Sequence, residues 1–262
     1  MLNVLIAKPK EESASEHLLI YMTNNTELSQ LSSQLRDKTI VESLRILTLN
    51  YPGKVVFTTS FGIEDQVIID IIFKNNIPVE VVTLDTGRLF PETYQVFSET
   101  ILKYRKKISV CFPDAGDVEK LMTEKGPFSF YESKENRLEC CHIRKVIPLN
   151  KVLKNYSIWI TGIRADQSDN RSSMANLEYD EVKKMIKYHP LFDWSLNDVE
   201  SYIKENHVPY NSLHDKRYLS IGCEPCTRPV LEGQNFRSGR WWWEADGTKE
   251  CGCHVKYTEP TN

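Results

Sequence analysis

Six of the seven cysteines in this 262-residue chain fall in three tight pairs: Cys140-Cys141, Cys223-Glu224-Pro225-Cys226 and Cys251-Gly252-Cys253. An odd total, in a chain long enough to bury its own core, argues against a disulfide framework. Clustered thiols point to metal or redox chemistry instead. Four thiolates from two distant segments can complete a tetrahedral zinc site or an iron–sulfur cluster. Adjacent cysteines point too far apart to share one small ion comfortably but can reach different irons, so Cys140-Cys141 favours a [4Fe–4S] cluster. Zinc and a redox-active CxxC stay open. Cys111 stands alone in the apolar run Ile108–Phe112 and reads as a buried strand residue.

The third pair lies in Lys249-Glu250-Cys251-Gly252-Cys253-His254. A thiol beside lysine and histidine on a Gly-containing tail has surroundings that lower its pKa and expose it. Upstream, Lys216, Arg217, Arg228, Arg237 and Arg240 outnumber Glu224 and Glu232, and the segment runs into Trp241-Trp242-Trp243. Arginine holds oxyanions through paired N–H donors, so a small dianionic ligand is expected here.

These groups need a scaffold, and the text from Thr39 onward supplies one. Ile40–Leu49 is amphipathic and ends at Tyr51-Pro52-Gly53; KVVFTTS is a β-branched strand ending at Ser60. Glu64–Lys74 and Glu92–Tyr104 read as helices, the second started by Pro91. VEVVTLD, Ile108–Phe112 and Ser157–Thr161 read as further strands, Asp117–Glu124 and CCHIRKV as helical, and Ser195 caps Leu196–Asn206. Near-continuous apolar strands alternating with helices predict an α/β fold with a mostly parallel twisted sheet flanked by helices. Residues 1–36 are polar and weakly patterned, the first ten or so reading as a strand or a frayed arm.

Ligands of such sheets bind beyond the carboxyl ends of the strands, where SFGIED, LDTGR and TGIRADQS converge. The Ser60-Phe61-Gly62 loop enters a helix N-terminus whose N–H groups, with the Ser60 hydroxyl, suit a phosphate. It lacks the GxxxxGK[ST] of a P-loop, and Glu64-Asp65 lie just behind, so one phosphate fits better than a triphosphate.

Apolar residues are 40% and charged residues 26%, with a net charge of −3. Disorder and long coiled coils are excluded, and no basic footprint points to a nucleic-acid partner. The longest apolar stretch, Val67–Phe73, is broken by Asp70 and too short to span a bilayer. The opening MLNVLIAKPK lacks a basic n-region and a small-residue cleavage site, so no signal peptide is read and a cytoplasmic protein is expected.

SFGIEDQV, LDTGRLFPETY, CCHIRKV, TGIRADQS, HPLFDWSLNDVESYI–VPYN, GCEPCT, RSGRWWW and KECGCH, in that order, resemble the assimilatory adenylylsulfate (APS) reductases. These form the iron–sulfur branch of the phosphoadenylylsulfate (PAPS) reductase family, of adenine-nucleotide α-hydrolase-like (PP-loop type) fold. The resemblance runs from about Leu35 to His254. It implies an N-terminal extension over 1–34, a nucleotide-binding reductase domain over 35–215, and a cluster-and-tail segment over 216–262 belonging to the same domain. It implies thiol-dependent reduction of adenylylsulfate to sulfite and AMP in sulfate assimilation, with thioredoxin or glutaredoxin as reductant and a homo-oligomeric enzyme. Carried over, Cys140, Cys141, Cys223 and Cys226 are the cluster ligands, Cys251 the nucleophile, and Lys145 a link between cluster and substrate. Arg164, Arg237, Arg240 and His254 surround the phosphosulfate, while Ser60, Gly62 and the turn Leu84, Asp85, Thr86 and Gly87 take the nucleotide. The tail departs from the family pattern at Cys253, where an aliphatic residue is usual; a bystander role is expected over a resolving thiol, because a disulfide between next-but-one cysteines is strained. The same reaction on PAPS, an ATP pyrophosphatase and a non-catalytic metal module are the rivals.

Overall fold

The computed structural model describes residues 14–167, 171, 174–244 and 252–253. Six strands form one sheet: β1 (Val55–Thr59), β2 (Glu80–Leu84), β3 (Ser109–Cys111), β4 (Ile158–Ile160), β5 (Leu177–Asp180) and β6 (Met185–Tyr188), ordered β3-β2-β1-β4-β6-β5. All neighbours run parallel except β5, which pairs antiparallel with β6. From β1 the chain winds outward through β2 to β3, then returns to lay β4 on the other side of β1. The reversal opens a crevice between the β1 and β4 ends, the position where sheets of this kind bind ligands.

Alternation along the strands feeds two cores. Val55, Phe57, Ile158 and Ile160 face the larger one with α3 (Ile63–Lys74), whereas Val56 and Trp159 face a second with Val146, Leu149 and Leu153. Both faces are covered, which is why these strands read as continuous apolar text.

Local signals set most boundaries. Helix α2 (Ile40–Asn50) starts on a reciprocal cap in which Thr39 N–H donates to Glu42 Oε2 at 2.8 Å. Pro91 opens α4 (Pro91–Tyr104), and Ser195 with Asp198 caps α8 (Leu196–Glu205) in the same reciprocal way. Helix α5 (Ala115–Lys125) begins two residues before its expected start because Asp114 caps it.

Three features depart from expectation. Within the polar N-terminal stretch lies a helix, α1 (Ala14–Leu35), whose Leu28, Leu31 and Leu35 pack on the larger core. The strand or arm read for the first ten residues lies outside the described residues. Cys111 is half-buried rather than buried, because β3 is a short edge strand that leaves Val110 and Phe112 exposed. CCHIRKV is not one regular helix: α6 (Lys134–Cys141) ends at the cysteines, and His142–Val146 form a π-helical turn before α7 (Ile147–Leu153). Pro148 has no N–H to return to the Arg144 carbonyl, and the widened turn is closed by Ile147 N–H donating to His142 O. Among the described residues no helix is long and apolar enough to cross a membrane.

Candidate active site

A cavity of about 220 Å3 opens where the ends of β1, β2 and β4 meet the C-terminal segment. Thr58, Ser60 and Gly62 line it from the β1 side, Leu84 and Thr86 from β2, and Thr161 and Gly162 from β4. The opposite wall is cationic: Lys145, Arg171, Arg237 and Arg240.

The β1 loop turns sharply into α3 through Phe61, held at φ 58 with its ring packed 4.8 Å from Phe97. The acidic pair behind it is committed inward. Asp65 accepts from Ser60 N–H at 2.5 Å and from Ser60 Oγ at 2.9 Å. Burial pushes Asp65 up to about 6 against the lowering effect of these hydrogen bonds. Gly162 must be glycine here, since a Cβ would lie 2.4 Å from Asp65 Oδ1. Both donors of Ser60 are spent on Asp65, which leaves its hydroxyl oxygen only acceptor capacity for a ligand in this arrangement.

In the β2 turn, Leu84 and Thr86 face the cavity while Asp85 and Gly87 hold the turn from behind. The Asp85 carboxylate accepts from Gly87 N–H at 2.8 Å and from Tyr94 OH at 2.9 Å. Gly87 sits at φ 70, a region glycine reaches without strain. Arg144 Nη1 donates to Thr86 O at 2.7 Å, so the π-helical turn is tied to the β2 edge of the cavity.

Arg164 does not line the cavity. It is 1% exposed and pairs with Glu64 at 2.9 Å and with Asp166. Another arginine of the same loop, Arg171, reaches the wall instead. Nothing in its local sequence separates the two; what decides is the buried Glu64 carboxylate on α3, which captures Arg164. Arg240 stands 4.6 Å over Trp241, with Nη1 3.4 Å from Ile221 O. Gly222 makes space for it, because a Cβ there would lie 2.3 Å from Arg240 Nη2.

Beside this cavity lies a smaller one lined by all four candidate ligands, Cys140, Cys141, Cys223 and Cys226, with Arg88, Arg137, Arg144 and Trp241. Lys145 and Trp241 face both cavities. Burial raises the Cys223 thiol, but Lys145, a hydrogen bond with Thr86 Oγ1 at 3.3 Å and Arg240 bring it below its ordinary value. Burial, reinforced by Cys223, pushes Cys226 up to about 12, and burial also raises Cys140. Arg137 stands 4.5 Å over Trp241 and grips Glu244 at 2.7 and 3.0 Å, anchoring the chain where it leaves for the tail. Among the described residues, no group of three or more His, Cys, Asp or Glu side chains is arranged to hold a single metal ion. Arg88 lines the cysteine cavity and not the larger one.

Cys253 is buried among Val56, Leu149, Trp159 and Met185 and contributes to the larger cavity. Cys251 and His254 lie outside the described residues.

Residues 54–229 match the family model of the phosphoadenosine phosphosulfate reductase domain. The chain is 46% identical over 209 residues to an adenosine 5'-phosphosulfate reductase of Agrobacterium fabrum, covering 80% of each chain. It is 43% identical over 240 residues to one of Pseudomonas aeruginosa, covering 89% of each. The crystal structure of a phosphoadenylyl-sulfate reductase from Candida auris, in complex with phosphate, is similar at a TM-score of 0.67 and 26% identity, over 84% of this chain and all of that one. An FMN adenylyltransferase from Candida glabrata shares the fold at a TM-score of 0.50 and 14% identity, over 97% of this chain and 80% of that one. An α/β sheet whose switch-point cavity carries arginines on one wall, joined to matches over most of its length, places this chain in the phosphoadenosine phosphosulfate reductase family, the oxidoreductases that act on sulfur groups.

Proposed function

We propose that this chain reduces adenylylsulfate to sulfite and AMP in assimilatory sulfate reduction, through an S-sulfocysteine on Cys251 that thioredoxin resolves. The observation that carries the reading is the shared wall. Lys145 faces both the cavity at the strand ends and a nest of four cysteines, so a substrate in the first lies beside whatever the second holds. The neutral rim of Ser60, Leu84 and Thr161 suits a nucleoside, and Arg171, Arg237, Arg240 and Lys145 suit a phosphosulfate. The names of the curated relatives support adenylylsulfate over its 3′-phosphorylated form.

The donor set of the smaller cavity fits a thiolate-bound iron–sulfur cluster. Its four potential ligands are all sulfur, with no carboxylate or imidazole lining it among the described residues, and cations surround them. Cys140, Cys141, Cys223 and Cys226 would hold a [4Fe–4S] cluster. When bound, it would add its local field beside Lys145 and join the two cysteine segments.

In the reaction, the arginines and Lys145 neutralise the phosphosulfate and make AMP a tolerable leaving group. The Cys251 thiolate attacks the sulfate sulfur, the bond from that sulfur to the phosphate oxygen breaks, and AMP departs. A thiolate of thioredoxin then attacks the Cys251 sulfur. Sulfite leaves with the bonding pair, and the mixed disulfide is resolved by the second thiol of thioredoxin.

Protein purified without oxygen and incubated with 35S-adenylylsulfate, in the absence of thiol, is expected to carry label on the tryptic peptide containing Cys251. Cys251→Ser is expected to carry none. Label retained in Cys251→Ser, or no label in the wild type, overturns the reading. Iron and acid-labile sulfide in a brown preparation are expected; a colourless protein with stoichiometric zinc would refute the cluster. Parallel turnover on both sulfonucleotides is expected to favour the one without a 3′-phosphate.

A further inference from the structure

At the edge of the sheet farthest from β3, a buried polar chain runs inward to the cavity, and the proposed chemistry leaves it unused. His189, one residue past β6, is 1% exposed. Its Nδ1 lies 2.6 Å from Thr161 Oγ1, and its Nε2, which makes no hydrogen bond among the described residues, faces Glu178 Oε1 at 3.7 Å. Glu178 belongs to β5, and Lys187 Nζ lies 3.8 Å from it. Thr161, the residue after β4, lines the cavity. A carboxylate on the outermost strand thus reaches the binding site through one imidazole.

Burial keeps that imidazole neutral, so one ring nitrogen carries the proton and the other offers a lone pair. The choice is set by what each nitrogen faces. A carboxylate beside Nε2 stabilises a proton there, which leaves Nδ1 as an acceptor and obliges the Thr161 hydroxyl to donate to it. Thr161 Oγ1 also accepts from Ile163 N–H at 3.4 Å. With its proton committed and one lone pair used, this oxygen can only accept.

We propose that Glu178, acting through His189, fixes Thr161 Oγ1 as a hydrogen-bond acceptor in the cavity, where it receives a donor of the bound nucleotide. His189 is a positioning residue, and Thr161 makes the contact. The donor is the exocyclic amine of adenine or a ribose hydroxyl. The proposal rests on the nucleotide reading of the cavity and assigns the polarity of one of its walls.

Two measurements test it. In protein labelled with 15N-histidine at pH 8, with the His189 signal assigned by its loss in His189→Asn, the ring proton is expected on Nε2. Finding it on Nδ1 overturns the proposal. Glu178→Gln, which keeps the shape and removes the charge, is expected to move part of the population to Nδ1; an unmoved proton refutes the role of Glu178. Calorimetric titration with AMP is expected to show about fivefold weaker binding for Thr161→Val, as for one lost hydrogen bond. Among N6,N6-dimethyl-AMP, 2′-deoxy-AMP and 3′-deoxy-AMP, one is expected to bind wild type less tightly than AMP and to lose nothing further in Thr161→Val. Unchanged AMP affinity in Thr161→Val, or an equal loss with every analogue, overturns the contact. A wild type that fails to bind AMP refutes the nucleotide reading and the contact together, while the proton position still reports on Glu178 and His189.

Discussion

Replacing Gly222 by alanine tests the cationic wall with a single methyl group. The added Cβ would lie 2.3 Å from Arg240 Nη2, 2.6 Å from Cζ and 2.9 Å from Nη1. Ordinary carbon contacts begin near 3.5 Å, so the guanidinium must retreat by roughly 1 Å. It is buried, stacked on Trp241 and held at Ser220 and Ile221, and no retreat keeps these contacts and its place in the cavity together. A misplacement of about 1 Å in a positioning group costs about 100-fold in rate. The expected outcome is a loss of about 100-fold in kcat/KM, or about 2.7 kcal/mol of transition-state stabilisation, for sulfite release from adenylylsulfate with excess dithiol. Folding stability is expected to fall by only about 1 kcal/mol, because the displaced guanidinium loses contacts at Trp241, Ser220 and Ile221 while the backbone at Gly222 is not in the left-handed region. The decisive control is the pair of changes: in an Arg240→Ala background the three atoms nearest the methyl group are gone, and Gly222→Ala should cost far less than it does in the wild type. Activity of Gly222→Ala within threefold of wild type, or full additivity of the two changes, refutes the assignment of Arg240 to the site.

Three further outcomes are expected. Burial lifts Asp65 from 3.8 to about 6, so the native state binds its proton more tightly than the unfolded chain. Stability that this group contributes is fully present below pH 3.8 and is lost as pH rises through 6, by about 3 kcal/mol. Urea unfolding of Asp65→Asn at pH 4 and pH 7.5 should lack that fall, and pH profiles parallel to wild type would contradict the burial argument. Glu244→Gln leaves the buried Arg137 guanidinium without its carboxylate and should cost about 3 kcal/mol, read as a lower urea midpoint; an unchanged midpoint would remove Arg137–Glu244 as the anchor of the tail. Cys253→Val keeps a small apolar side chain within the cluster around Trp159. Sulfite release from S-sulfonated protein without thioredoxin should be the same in Cys253→Val as in wild type, and slower release would make Cys253 a resolving thiol.

Sequence alone determined the layered α/β plan, the strands β1, β2 and β4, the caps at Thr39 and Ser195, the proline start of α4 and the grouping of the cysteines, because each of these signals is written within a turn or two of chain. It left α1 unread, since three leucines in polar text gain meaning only from the core they meet, and it left the β5–β6 pair unread, since Lys187 is buried there only because Asp180 neutralises it at 2.6 Å. Which arginine faces the cavity was a tertiary decision. Arg164 and Arg171 share one loop, and Glu64, a hundred positions earlier, claims the first. Likewise Ser60 looked free to bind a phosphate until Asp65 folded back onto it. Spacing reveals which groups a chain owns; the donors and charges left over for a ligand are fixed only after distant partners have taken theirs.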